Sequence, residues 1–256
     1  MQDDIKMSSL NTQACFDKIE VWNHTYQLYQ NTPDSCPASI KYQTLDQNPA
    51  QRFSKTMIRV IRFDIIDVAL HYKKLGYNPL LLNMADISVP GGCVKAGSGA
   101  QEECCFRRSN YYKHLKPEFY PLVDSQAVYS QRVEFIKSNE TSGCIPIEPR
   151  NLDIIAIPAL RFPQLDRDHR GYGSETEKKL MEKKIDMIFQ VGYKHNHDVL
   201  VLSAFGCGAY GNPPQEVVQI FKKALQKWNG CFKEVVFAIL GANFNFFLEL
   251  ENGQNV

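Results

Sequence analysis

Two short apolar segments, each followed by a glycine-containing loop, do most to limit the folds that this chain can adopt. Residues 80–82 are three leucines between Pro79 and Asn83, and residues 199–202 read Val-Leu-Val-Leu. Such runs are typical of short strands that are buried on both faces, as in a parallel sheet covered by helices. In an open α/β sheet, ligands bind where loops leave the carboxyl ends of the strands. Both loops are therefore candidate binding elements.

The rest of the chain alternates between strand and helix patterns, which predicts an α/β fold. Including the two apolar segments, strands are predicted near residues 57–61, 79–84, 128–136, 153–157, 198–203 and 234–240. The clearest helix pattern covers residues 174–191, where Ser174 and Glu177 have capping-box spacing and four lysines form a predicted solvated face: Lys178, Lys179, Lys183 and Lys184. We predict a three-layer α/β/α fold with a central mixed sheet, to which residues 128–136 add an antiparallel strand.

The first loop leads into a pair of glutamates. Gly91 and Gly92 let main-chain amides approach a phosphate closely. Ser98 lies three residues before Gln101, which predicts a capped helix start with residues 102 and 103 in the first turn. Neighbouring helix residues are turned about 100° apart, so the two carboxylates should have different roles. One could hold sugar hydroxyls while the other exchanges a proton with a leaving oxygen and a water. The structural alternative is that both only favour the helix start electrostatically.

The second loop has the composition of an anion site. Gly206, Gly208 and Gly211 can adopt positive φ, and Asn212 with Pro213 is typical of the N-cap and first turn of the next helix. A glycine loop ahead of a helix amino terminus favours negative charge, because its amides are unpaired and the helix dipole adds to them. An ordinary strand-to-helix turn is the alternative interpretation of the same residues.

Two motifs resemble those of a known family. Gly91-Gly92-Cys93, seven further residues and then residues 101–103 are similar to the glycine-rich signature of poly(ADP-ribose) glycohydrolases, especially the short bacterial-type enzymes built on a macrodomain. Residues 198–212, DVLVLSAFGCGAYGN, resemble the diphosphate loop of the same family. The resemblance extends more weakly from about Ile58 to Leu240, and the first fifty or so residues match only loosely. It implies a macrodomain-like fold.

The same resemblance implies an activity and a set of site residues. The enzyme would hydrolyse the ribose–ribose O-glycosidic bond of poly(ADP-ribose) and release ADP-ribose, without a metal or a redox cofactor. Glu103 would be the general acid and base, with Glu102 as its catalytic partner and Gln101 orienting the loop. The other implied substrate-binding residues lie at the strand exit and in the two loops: Asn83, Asp86, Gly91, Gly92, Cys93, Gly206, Cys207, Gly208, Ala209 and Tyr210.

Two departures from the family pattern keep alternatives open. The third glycine of the first loop is Cys93 here, and Tyr210 stands where the bacterial enzymes commonly have phenylalanine. Cys93 leaves room for an enzyme that removes single ADP-ribose units from proteins. The fold could also hold ADP-ribose without cleaving it, although a pure reader has no need of Glu103. Asp86 could brace the first loop through its amides instead of contacting ribose.

Residues outside the two motifs allow further predictions. Residues 1–55 are interpreted as an accessory segment, with a helix near residues 15–29, that packs on or moves beside a domain of residues 56–256. Asp64 either contacts an adenine amino group, as in many macrodomains, or caps the following helix, and we favour the cap. Arg107 and Arg108 are expected to pair with acids or lie in water more than to face the ligand. His195 and His197 are expected in a turn.

Charge and composition exclude several other classes. The formal net charge is +1 with no dense basic tract, so general binding of DNA or RNA is not expected. No apolar stretch approaches the roughly 20 residues that a membrane span needs. The chain begins Met-Gln-Asp-Asp, which does not resemble a secretory signal, and its eight cysteines include no CxxC pair. These features predict a cytoplasmic protein, with the nucleus reachable in a eukaryotic host.

Overall fold

The computed structural model describes residues 17–33 and 36–252. Within these residues, the helices and strands follow one another as α1 (Lys18–Gln30), β1 (Ile40–Tyr42), β2 (Met57–Ile61), α2 (Ile65–Lys74), β3 (Pro79–Met84), α3 (Gln101–Arg108), β4 (Ala127–Lys137), β5 (Pro146–Ile157), α4 (Glu175–Lys194), β6 (Val199–Leu202), α5 (Pro214–Lys227), β7 (Glu234–Ala238) and α6 (Phe244–Asn252).

The strands of the described chain form one mixed sheet in the order β1-β4-β5-β3-β6-β7-β2. The five strands from β5 to β2 are parallel, whereas β4 runs antiparallel to β5 and β1 antiparallel to β4. Helices pack against this sheet, so the predicted three-layer α/β/α class with a mixed sheet and an antiparallel β4 is confirmed. In this order, β3 and β6 are neighbours, and their carboxyl ends deliver the two glycine loops to the same edge.

The burial of the central strands β3 and β6 explains why their sequences are continuous apolar runs. All residues of β6 are buried, and in β3 only Met84 is half-buried. A strand with both faces covered by helices has no polar face, which is why its sequence lacks alternation. The predicted bounds agree with β2 and β3, while β5 begins at Pro146, before the predicted start at residue 153. The first half of β5 is largely exposed, so its sequence lacks the apolar run that marks a buried strand.

The prediction of a solvated lysine face on α4 is wrong for Lys184. This side chain is 2% exposed, and its amine donates a hydrogen bond to the carbonyl of Asp124. Burial lowers the pKa of Lys184 to about 8. The reason is helical spacing, because Lys184 lies three residues after buried Met181 and four before buried Ile188. Ser174 does cap α4, accepting a hydrogen bond from Glu177 N at 3.4 Å.

The segment before β2 contacts the rest of the fold through α1 and β1. Thr25 Oγ1 donates to the carbonyl of Arg107 at 2.6 Å and accepts a hydrogen bond from Lys137 Nζ at 2.6 Å. The ring of Trp22 lies 6.1 Å from that of Phe106, which belongs to α3. The predicted helix near residues 15–29 is α1, although residues 15 and 16 lie outside the described residues. The domain boundary at residue 55 stays a prediction.

Candidate active site

α3 begins beside the end of β3, and Gln101 joins the two. Met84 N donates to Gln101 Oε1 at 2.9 Å, and Gln101 Nε2 donates to the carbonyl of Leu82 at 2.9 Å. The side-chain amide therefore continues the hydrogen bonding of the strand and fixes the helix start. The predicted cap by Ser98 is wrong, because the N-cap residue is Ala100 and no side chain caps α3. A 3-10 turn ends at Gly97 with φ +77°, so the helix starts later than the spacing suggested.

Glu102 is buried and holds the first loop. Its Oε2 accepts a hydrogen bond from Asp86 N at 2.7 Å, and its Oε1 accepts from Gly91 N at 3.2 Å and from Asn83 Nδ2 at 3.3 Å. Burial raises the pKa of Glu102 to about 8, against the lowering effect of these donors. Glu102 thus braces the loop backbone from a buried position.

Glu103 lies on the same turn but reaches a different part of the loop. Its Oε1 accepts a hydrogen bond from Cys93 N at 3.1 Å, and the residue is 6% exposed. Gly92 has φ +51°, and a Cβ there would lie 2.7 Å from Glu103 Oε1 and 3.6 Å from Glu102 Oε2. The contact with Glu102 would be an ordinary one, so the absence of a side chain at Gly92 is what lets the carboxyl group of Glu103 approach the loop.

The first loop is braced internally by Asp86. Its Oδ1 accepts hydrogen bonds from Ser88 N at 2.7 Å and from Val89 N at 3.1 Å, which is the bracing role left open above. Gly91 has φ +76°, and a Cβ there would meet the ring of Phe106 at 2.7 Å. Cys93, by contrast, has φ −101°. The backbone conformation at the third position of this loop therefore does not require glycine. The side chain of Cys93 is exposed beside the glutamates.

The second loop closes on itself through Asn212. Asn212 Nδ2 donates to the carbonyls of Leu160 at 2.7 Å and Gly206 at 3.0 Å. Its predicted role as N-cap is wrong, because the N-cap residue of α5 is Pro213 and the asparagine side chain is used within the loop. Gly206 has φ +74°, and a Cβ there would lie 2.5 Å from both Ala159 Cβ and Asn212 Nδ2. Only glycine fits this position.

Tyr210 joins the two loops. Its hydroxyl donates to Asp86 Oδ2 at 3.1 Å and accepts a hydrogen bond from Ile87 N at 3.1 Å. Because Asp86 N also binds Glu102, a continuous set of hydrogen bonds runs from the second loop through the first loop to α3. The two motifs, more than a hundred residues apart in the chain, meet at one site.

Between the loops lies a cavity of about 470 Å³. Ten of the predicted site residues line it: Asp86, Gly92, Cys93, Gln101, Glu102, Glu103, Gly206, Gly208, Ala209 and Tyr210. The other three predicted residues do not line the cavity. Asn83 and Gly91 donate hydrogen bonds to the carboxyl group of Glu102, and Cys207 packs against the hydrophobic core. Sequence analysis missed the part of the wall that follows β7, including Leu240, Gly241 and Asn243. The signal was available, because these residues also follow the carboxyl end of a parallel strand.

The basic residues of α3 form ion pairs with acidic residues of other elements. Arg108 Nη1 binds Asp64 Oδ1 at 2.8 Å, and Arg107 pairs with Glu140. Asp64 also caps α2, accepting a hydrogen bond from Asp67 N at 2.9 Å. The predictions that Asp64 is a cap and that both arginines pair with acids are confirmed.

Two negative findings apply to the described residues. They contain no group of three or more histidine, cysteine, aspartate or glutamate side chains placed to hold a metal ion. Over residues 17–33 and 36–252, no helix has the length and apolar character to cross a membrane.

Comparison with known proteins agrees with the two motifs. Residues 10–138 match the family model of the microbial-type PARG catalytic domain, and the chain belongs to this family. PARG denotes poly(ADP-ribose) glycohydrolase, a hydrolase of glycosyl bonds. The resemblance inferred from the sequence is thereby confirmed. No curated protein matches the chain in sequence.

Solved structures of similar fold include two bacterial enzymes. Poly(ADP-ribose) glycohydrolase from Thermomonospora curvata superposes with a TM-score of 0.76 at 22% identity, covering 91% of this chain and 98% of that one. The same enzyme bound to the inhibitor ADP-HPD gives 0.74 at 22% identity, with coverages of 91% and 98%. The enzyme from Deinococcus radiodurans in complex with ADP-ribose gives 0.67 at 20% identity, with coverages of 94% and 91%. At these identities the matches establish the fold.

Proposed function

We propose that this chain hydrolyses the ribose–ribose O-glycosidic bonds of poly(ADP-ribose) and releases ADP-ribose, with Glu103 as the general acid and base. The observation that carries the proposal is the different setting of two adjacent glutamates under one glycine loop. Glu102 accepts hydrogen bonds from two loop amides and from Asn83. Glu103 accepts one hydrogen bond from the described residues, from Cys93 N, and lines the cavity.

Glu103 therefore has a carboxyl oxygen that is available to exchange a proton with a substrate in the cavity. In the proposed step it donates a proton to the departing ribose oxygen while an oxocarbenium-like sugar forms. The resulting carboxylate then takes a proton from the attacking water. General acid–base catalysis of this kind contributes about 10²–10⁴-fold to the rate. Glu102 would keep the first loop in place and accept hydrogen bonds from a ribose hydroxyl.

The second loop supplies the proposed diphosphate site. Gly206, Gly208 and Ala209 line the cavity, and the loop leads into the amino terminus of α5. Free amides and a helix dipole favour a negatively charged group at such a place. Tyr210 would cover the ribose next to the glutamates. The proposed chemistry consists of proton transfers and the addition of water, for which Glu103 suffices.

An enzyme acting on singly ADP-ribosylated protein is the second candidate. The observation that favours it is the exposed side chain of Cys93, which lines the cavity where the family usually has glycine. ADP-ribosylated proteins are proposed partners in either case, and a cytoplasmic location stays a prediction from the sequence.

Product analysis with two substrates tests the proposal. The wild-type protein is incubated with poly(ADP-ribose) and, separately, with a protein that carries single ADP-ribose units on its side chains. Release of ADP-ribose from the polymer, at a rate well above that from the modified protein, is the expected result. Faster release from the singly modified protein would support the second candidate, and no release from either substrate would contradict both.

A further inference from the structure

The rim of the cavity beside Tyr210 carries an arginine and a phenylalanine. Phe162 N donates to the carbonyl of Tyr210 at 2.9 Å, which places the loop after β5 against the second loop. The guanidinium carbon of Arg161 lies 5.6 Å from the ring centroid of Phe162 and 6.0 Å from that of Tyr210. We call Arg161 and Phe162 the rim pair. Neither residue lines the cavity, whereas Tyr210, which both of them contact, does.

Phe162 has two features that its own fold does not explain. Its side chain is 69% exposed, the largest exposure among the large apolar residues of the described chain. Its φ is +52°, a left-handed conformation that is rare for a bulky residue and that lowers stability. Asparagine or glycine would adopt this backbone more easily. A ring kept at a strained position, with little burial in return, points to a contact with something outside the protein.

The rim pair lies at the reacting end of the cavity. The hydroxyl of Tyr210 binds Asp86 Oδ2 at 3.1 Å, and Asp86 N binds Glu102 Oε2 at 2.7 Å. Arg161 therefore lies 6.0 Å from the ring of the residue whose hydroxyl binds the loop of the glutamates. A cavity of about 470 Å³ accepts one nucleotide-sized unit. In a polymer, the unit bonded through the scissile oxygen has to leave the cavity at the glutamate end, where Tyr210 stands.

The chemistry of that neighbouring unit matches the rim pair. It carries an adenine ring, which can stack on an exposed aromatic side chain, and a diphosphate, which an arginine can bind through two parallel hydrogen bonds. Arg161 has no ion pair with a described residue, so its charge is not already neutralised by a fixed carboxylate. On the basis of the proposed function, we propose that Arg161 and Phe162 form a leaving-side subsite for the next ADP-ribose unit, which makes the enzyme prefer polymer.

Two variants and one bound product separate this subsite from the cavity. Arg161→Ala removes the charge, and Phe162→Asn removes the ring while keeping a residue that tolerates the left-handed backbone. The measurements are kcat/KM on poly(ADP-ribose) and the Kd of ADP-ribose, which fills the cavity alone. Stacking and phosphate contacts of this size predict a fall of about tenfold in kcat/KM for each variant. The Kd of ADP-ribose is expected to change less than twofold.

Controls and salt dependence sharpen the test. Arg150→Ala removes a charge of the same kind from an exposed residue of β5 and should leave kcat/KM unchanged. The effect of Arg161→Ala should shrink as the salt concentration rises, whereas that of Phe162→Asn should persist. Equal losses in kcat/KM and in ADP-ribose affinity, or no loss in either, would overturn the subsite while leaving the proposed function standing. A wild-type protein that neither binds ADP-ribose nor cleaves polymer would overturn both.

Discussion

Replacement of Gly92 by alanine tests whether the placement of Glu103 against the first loop controls turnover. The new Cβ would lie 2.7 Å from Glu103 Oε1, whereas an ordinary contact begins at 3.4 Å. The carboxyl group, or the loop, must therefore move by roughly half an ångström or more. A misplacement of about 1 Å at a reacting group can lower a rate by about 10²-fold, so we expect a loss of about 10-fold to 100-fold in kcat.

The same substitution also has a backbone effect, which a second glycine isolates. A left-handed conformation costs a non-glycine residue about 1 kcal/mol in the free energy of unfolding. Gly92 has φ +51°, whereas Gly76 has φ +87° and a Cβ added there would have nothing within 4 Å. Gly76→Ala should therefore lose a similar amount of stability and keep full activity. Urea denaturation and steady-state kinetics on both variants make the comparison. Full activity in Gly92→Ala would refute the reasoning.

Two further substitutions address Glu102 and Tyr210. Because the pKa of Glu102 is raised from 4.5 to about 8 in the fold, its contribution to stability is present below pH 4.5 and is lost as the pH rises through about 8. The unfolding free energy of the wild type should thus fall between about pH 5 and pH 8 by on the order of a few kcal/mol relative to Glu102→Gln, and parallel pH profiles of the two proteins would contradict this. Tyr210→Phe keeps the ring but removes the hydroxyl that binds Asp86 and Ile87. We expect a stability loss of about 1–2 kcal/mol and faster amide exchange at Ile87, and unchanged exchange would show that the loops are not joined there.

The sequence alone was sufficient for the strands that define the site. β3 and β6 are short apolar runs that end in glycine loops, and the burial of both their faces leaves the pattern unambiguous. β1 was missed because three residues carry no period, and the strand exists through its pairing with β4. α6 was missed as well, since its position against β2 and α5 depends on the sheet order.

Within the site, local motifs could be recognised and long-range contacts could not. The glutamates and the glycines lie in two short stretches, so their types and spacing indicated the chemistry. Ser98 and Asn212 were predicted to cap helices from local sequence alone. In the fold, the start of α3 is held instead by the hydrogen bond between Gln101 and Met84 of β3. The side chain of Asn212 binds the carbonyl of Gly206 within its own loop. The bond from Tyr210 to Asp86 joins residues 124 positions apart, and no local pattern reports such a contact.

The most direct test of the central claim is the release of ADP-ribose from poly(ADP-ribose) by the wild type and by Glu103→Gln, with ADP-ribose binding to both measured by calorimetry. Glu148→Gln, a change of an exposed residue on β5, is the matched control. The account predicts that Glu103→Gln loses turnover by about 10²-fold or more and still binds ADP-ribose, while Glu148→Gln behaves as the wild type. Turnover retained by Glu103→Gln would contradict the assignment of the acid and base.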